Sequence, residues 1–123
     1  MESPHFPGTA PIDAYGNGGF RFAGMSHRGS ILCLANAIVA WRPRRMDDLK
    51  KADFAPVFAP GSAPELLLIG TGADHAVLPS WVRPLFSDNG VRVDAMSTGA
   101  AARTYNVLLA EQRSIGAALL AVD

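Results

Sequence analysis

The chain is poor in the residues that usually announce chemistry, and each scarcity closes a route. It has a single cysteine, so no intrachain disulfide framework is possible, which suits a reducing compartment. Cys33 sits in the apolar run Ile31-Leu32-Cys33-Leu34, the setting of a core residue rather than a reactive thiol. Eleven basic and eleven acidic residues cancel. There is therefore no overall field to gather nucleic acid or an anionic membrane surface, and nucleic acid is not an expected partner. No apolar run approaches the roughly 18–20 residues that span a bilayer as a helix. The segment Met1-Glu2-Ser3-Pro4-His5-Phe6-Pro7-Gly8 is neither a basic-then-apolar secretory signal nor an Arg-rich amphipathic leader, so the expected location is cytoplasmic.

Catalytic patterns are missing too. His5, His27 and His75 are widely separated, with no Cys/His or His/Glu pair at ligand spacing, so no metal site is expected. No serine lies in a Gly-x-Ser-x-Gly elbow, and Glu65 and Glu111 have no acidic neighbour to share acid–base work. No catalytic residue is assigned, and the protein is read as leaning away from enzymes.

What is present is core-forming material. Of the 123 residues, 49% are apolar and 18% charged, which excludes global disorder. Such a length holds one domain that buries roughly 65–70% of its unfolded surface. Residues 1–11, with three prolines and little apolar pattern, are expected to form an arm, and residues 12–123 a single domain. From Ile12 to Trp41 short strands alternate with turns. Phe20 and Phe22 flank Arg21 with period two, and Tyr15-Gly16-Asn17-Gly18-Gly19 and His27-Arg28-Gly29 supply turns where positive φ costs little. This reads as a β-meander.

Arg42, Arg44 and Arg45 precede Asp47 and Asp48, which would cap a short helix through Lys51. The three arginines could grip an acidic partner, but the adjacent carboxylates favour a solvated, self-neutralising connection. Phe54, Val57 and Phe58 are placed to fasten the following loop to the core.

From Pro64 the pattern becomes strand and helix in alternation. Glu65–Ile69 is a strand apolar throughout after its first residue, so both faces should be covered. Pro79 opens a helix to about Asp88, and Asn89-Gly90 ends it. Val91–Ala95 is the next strand. Ser97 or Thr98 caps a longer helix with Ala101, Tyr105, Leu108 and Gln112 on one stripe and Arg103, Asn106 and Arg113 on another. Ile115–Val122 is a last strand, apolar along its length and therefore central. A β-α-β-α-β unit after a meander makes an α/β fold of three layers around a mixed sheet.

The stretch Pro64-Glu65-Leu66-Leu67-Leu68-Ile69-Gly70-Thr71-Gly72 resembles a strand feeding a phosphate loop. The GxxxxGK[ST] pattern fails, because Lys50 and Lys51 are the only lysines. Gly-x-Gly-x-x-Gly fails at its third glycine, which is His75. Asp94 stands about where an acid would bind a ribose, but the helix at Pro79 starts too far beyond the glycines to support a pyrophosphate. No flavin, nicotinamide or other cofactor is expected. A weaker site remains: Gly70, Thr71 and Gly72 with Ser97, Thr98 and Arg103, at the carboxyl ends of neighbouring strands, would suit a small anion.

The residues Ile12–Gly24, His27–Leu32, Trp41, Pro64–Gly72, Leu78-Pro79, Met96–Arg113 and Ala117–Val122 together resemble, in order, a widespread family of unknown molecular function. That family includes the mitochondrial assembly factor 3 of respiratory complex I and many bacterial proteins. The resemblance implies a three-layer α/β fold and an interaction or assembly role without catalysis. It implies protein partners, among them respiratory-complex subunits or their assembly machinery, and leaves homo-oligomerisation open. The chain departs from the family at Ala35-Asn36, Asp94 and Gln112, positions that touch turns and element ends. The rival reading is a small-anion binder or unrecognised enzyme using the Gly70–Gly72/Thr98–Arg103 crevice.

Overall fold

A computed structural model describes residues 5–123. Two sheets form. The larger has six strands in the order β1 (His5–Phe6), β6 (Ile38–Trp41), β5 (Ser30–Cys33), β9 (Ile115–Leu119), β7 (Leu66–Gly70) and β8 (Arg92–Met96). The pairs β1/β6, β6/β5 and β5/β9 are antiparallel, while β9/β7 and β7/β8 are parallel. The smaller sheet is the antiparallel meander β2 (Ile12–Gly16), β3 (Gly19–Phe22) and β4 (Met25–Arg28).

The parallel half dictates where the helices lie. The link from β7 to β8 carries α1 (Val82–Asp88) outward to the sheet edge, and the link from β8 to β9 carries α2 (Thr98–Ala110) back across β7. Crossovers of one hand running in opposite directions place their helices on opposite faces. On one face α2 and the small sheet bury Phe20, Phe22, Ile31, Ile38, Leu68, Tyr105 and Leu119. On the other, α1 and the segment after β6 bury Leu32, Trp41, Phe54, Val57, Ile69, Phe86 and Leu120. The result is the expected three-layer α/β fold, with β9 buried at every position in mid-sheet.

Several boundaries differ from the sequence reading. The meander is divided: β2–β4 leave as their own sheet, while β5 and β6 join the main one. The strand at 65–69 and the strand at 91–95 each shift forward by one residue. Of the expected arm, residues 1–4 lie outside the described part, and His5–Phe6 add an edge strand along β6. The helix expected from Asp47 to Lys51 is replaced by two 3-10 segments, Met46–Asp48 and Lys51–Phe58. Three residues per turn align Phe54 with Val57, and both are fully buried. Asp53 fixes the second segment by accepting from the Lys50 N–H at 2.8 Å. The helix expected from Pro79 begins at Val82, after a turn closed by the Val82 N–H on the Pro79 carbonyl. Pro84 is tolerated because it falls in the first helical turn, where N–H groups lack intrahelical partners. Gln112 lies beyond α2 with a φ of 59°, so it is a terminating residue and not part of the buried stripe.

Candidate functional site

The carboxyl ends of β7, β8 and β9 are laced together by two threonine hydroxyls. Thr98, fully buried, accepts from the Gly72 N–H at 3.0 Å and donates to the Leu120 carbonyl at 2.8 Å. Its own N–H donates to the Gly72 carbonyl at 2.8 Å, and Leu120 N–H reaches Gly70 O at 3.0 Å. One side chain thus ties the exits of two strands to the start of α2. The Thr71 hydroxyl accepts from the Ala76 N–H at 3.0 Å and has two carbonyls within donating reach, Asp74 at 2.7 Å in its own loop and Met96 at 3.2 Å at the end of β8. Ser97, the N-cap of α2, accepts from Ala100 N–H at 3.4 Å.

Five of the six candidate residues, Gly70, Thr71, Gly72, Ser97 and Thr98, are therefore brought together, in direct contact. Gly70 is glycine for a steric reason: a Cβ there would stand 2.9 Å from the Thr98 Cα and 3.0 Å from its Oγ1. Gly72 adopts a φ of +115°, which disfavours any side chain. Arg103 lies one turn further along α2, exposed, beside Gly99. The tyrosine ring of Tyr15 rests on Gly99, where a Cβ would come within 2.8 Å of the ring carbon Cζ. Thr71 and Gly72 face a wide hollow of about 510 Å³ whose other wall is Arg44, Arg45 and Asp47. The arginine-rich connection and the glycine loop, 27 residues apart in sequence, thus meet.

Two residues were given too small a role by sequence reasoning. In sequence Asn106 shares a helix stripe with Arg103 and Arg113, yet its side-chain amide accepts from Ile12 N–H and donates to Ile12 C=O, both at 2.8 Å. It fastens the small sheet to α2 as an adjacent strand would. Periodicity places it correctly on the helix but cannot show that a second sheet lies over that face. Asp53 receives both the Nε and the Nη2 of Arg42, at 2.9 and 2.8 Å. That guanidinium holds the Asp53 carboxyl below the usual carboxylate range, with partial burial opposing and the Lys50 N–H assisting.

Cys33 is a core residue, as expected. Burial pushes its thiol up to about 12, with the neighbouring Tyr105 hydroxyl acting in the opposite sense. The Tyr105 hydroxyl is pushed above its ordinary value by the same burial. Among the described residues, no group of three or more His, Cys, Asp or Glu side chains is arranged to hold a metal ion, and no helix is long and apolar enough to cross a membrane.

Comparison with known proteins agrees with this architecture. Residues 12–120 match the model of a family described as protein of unknown function (DUF498/DUF598). An uncharacterised protein of Rhodobacter capsulatus is 47% identical over 95% of this chain and 89% of its own length. The NADH dehydrogenase (ubiquinone) 1 alpha subcomplex assembly factor 3 of Rattus norvegicus is 30% identical over 94% of this chain, which spans 62% of that protein. A crystal structure from Bartonella henselae, described as an outer membrane protein, superposes with a TM-score of 0.86 at 49% identity, covering 96% of this chain and 99% of its own.

Proposed function

The chain belongs to the family of unknown function that matches its residues 12–120, and from that premise we propose that it is a non-enzymatic interaction protein serving assembly of a larger complex. The observation that carries the reading is the inward use of polar chemistry at the strand ends. Both threonine hydroxyls, where an α/β sheet usually presents ligand-binding groups, are bonded to the protein's own backbone. The same end of the molecule displays Val77, 86% exposed, on the loop leaving β7. An exposed aliphatic on a loop anchored by Thr71 suits contact with another protein. The rat relative named as an assembly factor supports the finer version, in which the partners are subunits of a respiratory complex or their assembly machinery.

The reading places the protein in the cytoplasm, where a lone buried thiol needs no oxidative partner. Affinity purification of the tagged full chain from its own host, with mass spectrometry and cell fractionation, tests both statements. Reproducible recovery of respiratory-complex subunits or assembly proteins is expected. Recovery of the protein without any reproducible partner overturns the reading, and its recovery in the outer membrane fraction overturns the compartment.

A further inference from the structure

The small sheet has one face on the core and one toward solvent, and the outward face is unusual. Strand register places Ala14 opposite Arg21 and Arg21 opposite Ser26, and Gly16 opposite Gly19 and Gly19 opposite Arg28. β2 has a bulge between Ile12 and Ala14, and beyond it side chains alternate along all three strands, so these six positions share one face, while Tyr15, Phe20 and His27 turn to the other. The burial agrees: Phe20, Phe22 and His27 are buried, whereas Arg21, Ser26 and Arg28 are exposed. The six line a hollow of about 390 Å³. Its floor is bare for a steric reason, since a Cβ on Gly19 would run into the His27 carbonyl oxygen of the neighbouring strand.

Two arginines stand over that floor, and no carboxylate lines it. Arg42, Arg45 and Arg113 each have a carboxylate within 4 Å, but among the described residues Arg21 and Arg28 have neither an ion pair nor a side-chain hydrogen bond. The chain as a whole is neutral, so this is a local cationic patch and not part of a general field. Arg21 and Arg28 occupy diagonal positions on neighbouring strands, roughly 7–8 Å apart and somewhat closer at Cβ. In an extended peptide, side chains two residues apart point the same way at roughly 6.5–7 Å. The spacings match.

We infer that this face docks an extended acidic segment of a protein partner, with carboxylates at alternate positions bound by Arg21 and Arg28. The occupant, though not the site, rests on the protein-partner reading above. A free oxyanion on so open a face would leave both guanidiniums in water, where ion pairs contribute little. A peptide laid across the hollow excludes water from several contacts at once and gains parallel hydrogen bonds from each guanidinium. The glycine floor admits its backbone closely. The free edge of β8 is a poorer docking surface, because two of its outward groups already have partners: Arg83 donates to the Val93 carbonyl, and the Asp94 carboxylate accepts from the Ala95 N–H.

The test is an amide chemical-shift titration with a blocked Glu-Ser-Glu-Ser-Glu peptide, against a blocked Glu-Glu-Ser-Ser-Glu control, which has the same composition but no two glutamates two residues apart, and inorganic phosphate. Saturable shifts at Ala14, Gly16, Gly19, Arg21, Ser26 and Arg28 are expected, at least tenfold weaker in affinity for Arg21→Gln/Arg28→Gln. Arg44→Gln/Arg45→Gln should bind as wild type, and circular dichroism confirms that each variant folds. Shifts centred on Arg44 and Arg45, no saturation by millimolar peptide, equal binding of the control peptide, or equal response to phosphate overturns the inference. Affinity purification with Arg21→Glu/Arg28→Glu separates the two claims. Loss of a partner that wild type recovers supports this face. A partner retained by the variant refutes the face and leaves the protein-partner reading standing, whereas no partner for wild type refutes that reading and leaves the site to the titration.

Discussion

Replacing Thr98 by valine keeps the shape of the side chain and removes only its hydrogen-bonding oxygen. That oxygen joins the Gly72 N–H and the Leu120 carbonyl at 3.0 and 2.8 Å, inside a side chain with no exposure. Each neutral bond contributes about 1 kcal/mol net, and a stranded buried donor or acceptor costs about 1–3 kcal/mol, so a loss of about 2–4 kcal/mol is expected. With an unfolding entropy of about 2.1 cal/mol/K per residue, a chain of this length loses roughly 4 °C in Tm per kcal/mol, giving a drop of about 8–15 °C. Thr98→Ser keeps the oxygen and removes one buried methyl, which should cost only about 1 kcal/mol. Urea unfolding followed by circular dichroism measures both, and the m-value should not change if the native fold is retained. A Thr98→Val variant within 0.5 kcal/mol of wild type would refute the claim that this hydroxyl holds the strand ends together. So would a Thr98→Ser variant as unstable as the valine.

Asn106→Ala should lower stability by about 2 kcal/mol through two lost hydrogen bonds, and amide exchange at Ile12 should accelerate more than in β9. Equal acceleration throughout the chain would mean that Asn106 does not act through the small sheet. Asp53 is held below the ordinary carboxylate range, so its contribution is complete above that range and is lost as pH falls below about 4. Asp53→Asn should flatten the acid limb of the stability curve, and an unchanged limb argues against the pairing. Cys33 has its folded value raised from 9.0 to about 12, so the unfolded chain releases this proton first and stability should fall as pH rises above about 9. The native thiol should react with maleimide only at the rate of opening, and rapid stoichiometric labelling near neutral pH would show that it is accessible.

Much of this was legible along the chain because it depends on neighbours in sequence. The apolar run of Ile115–Val122 requires a strand covered on both faces, and β9 lies mid-sheet, though it ends at Leu119 rather than Val122. Asn17-Gly18 marks a hairpin because both central residues need positive φ, and they adopt 53° and 79°. Cys33 among aliphatics reads directly as core. The boundary errors came where local signals compete. Pro79 can open a helix or a turn before one, and only the packing of Val82 and Phe86 against the sheet decides where winding starts.

Tertiary structure alone decided the rest, because pairing between distant segments is not encoded in the period of either one. Short strands and turns from Ile12 to Trp41 read as one meander, yet β2–β4 form their own sheet while β5 and β6 join the main one through the pairing of β5 with β9. Asn106 reads as a surface polar residue until Ile12 is placed over it, and Thr98 reads as a cap or ligand group until Gly72 and Leu120 close on its hydroxyl. Likewise Arg21 and Arg28 are ordinary outward residues in sequence. Only the register of β3 with β4 sets them on one bare face, because side-chain direction in a strand is local whereas strand alignment is a property of the folded whole.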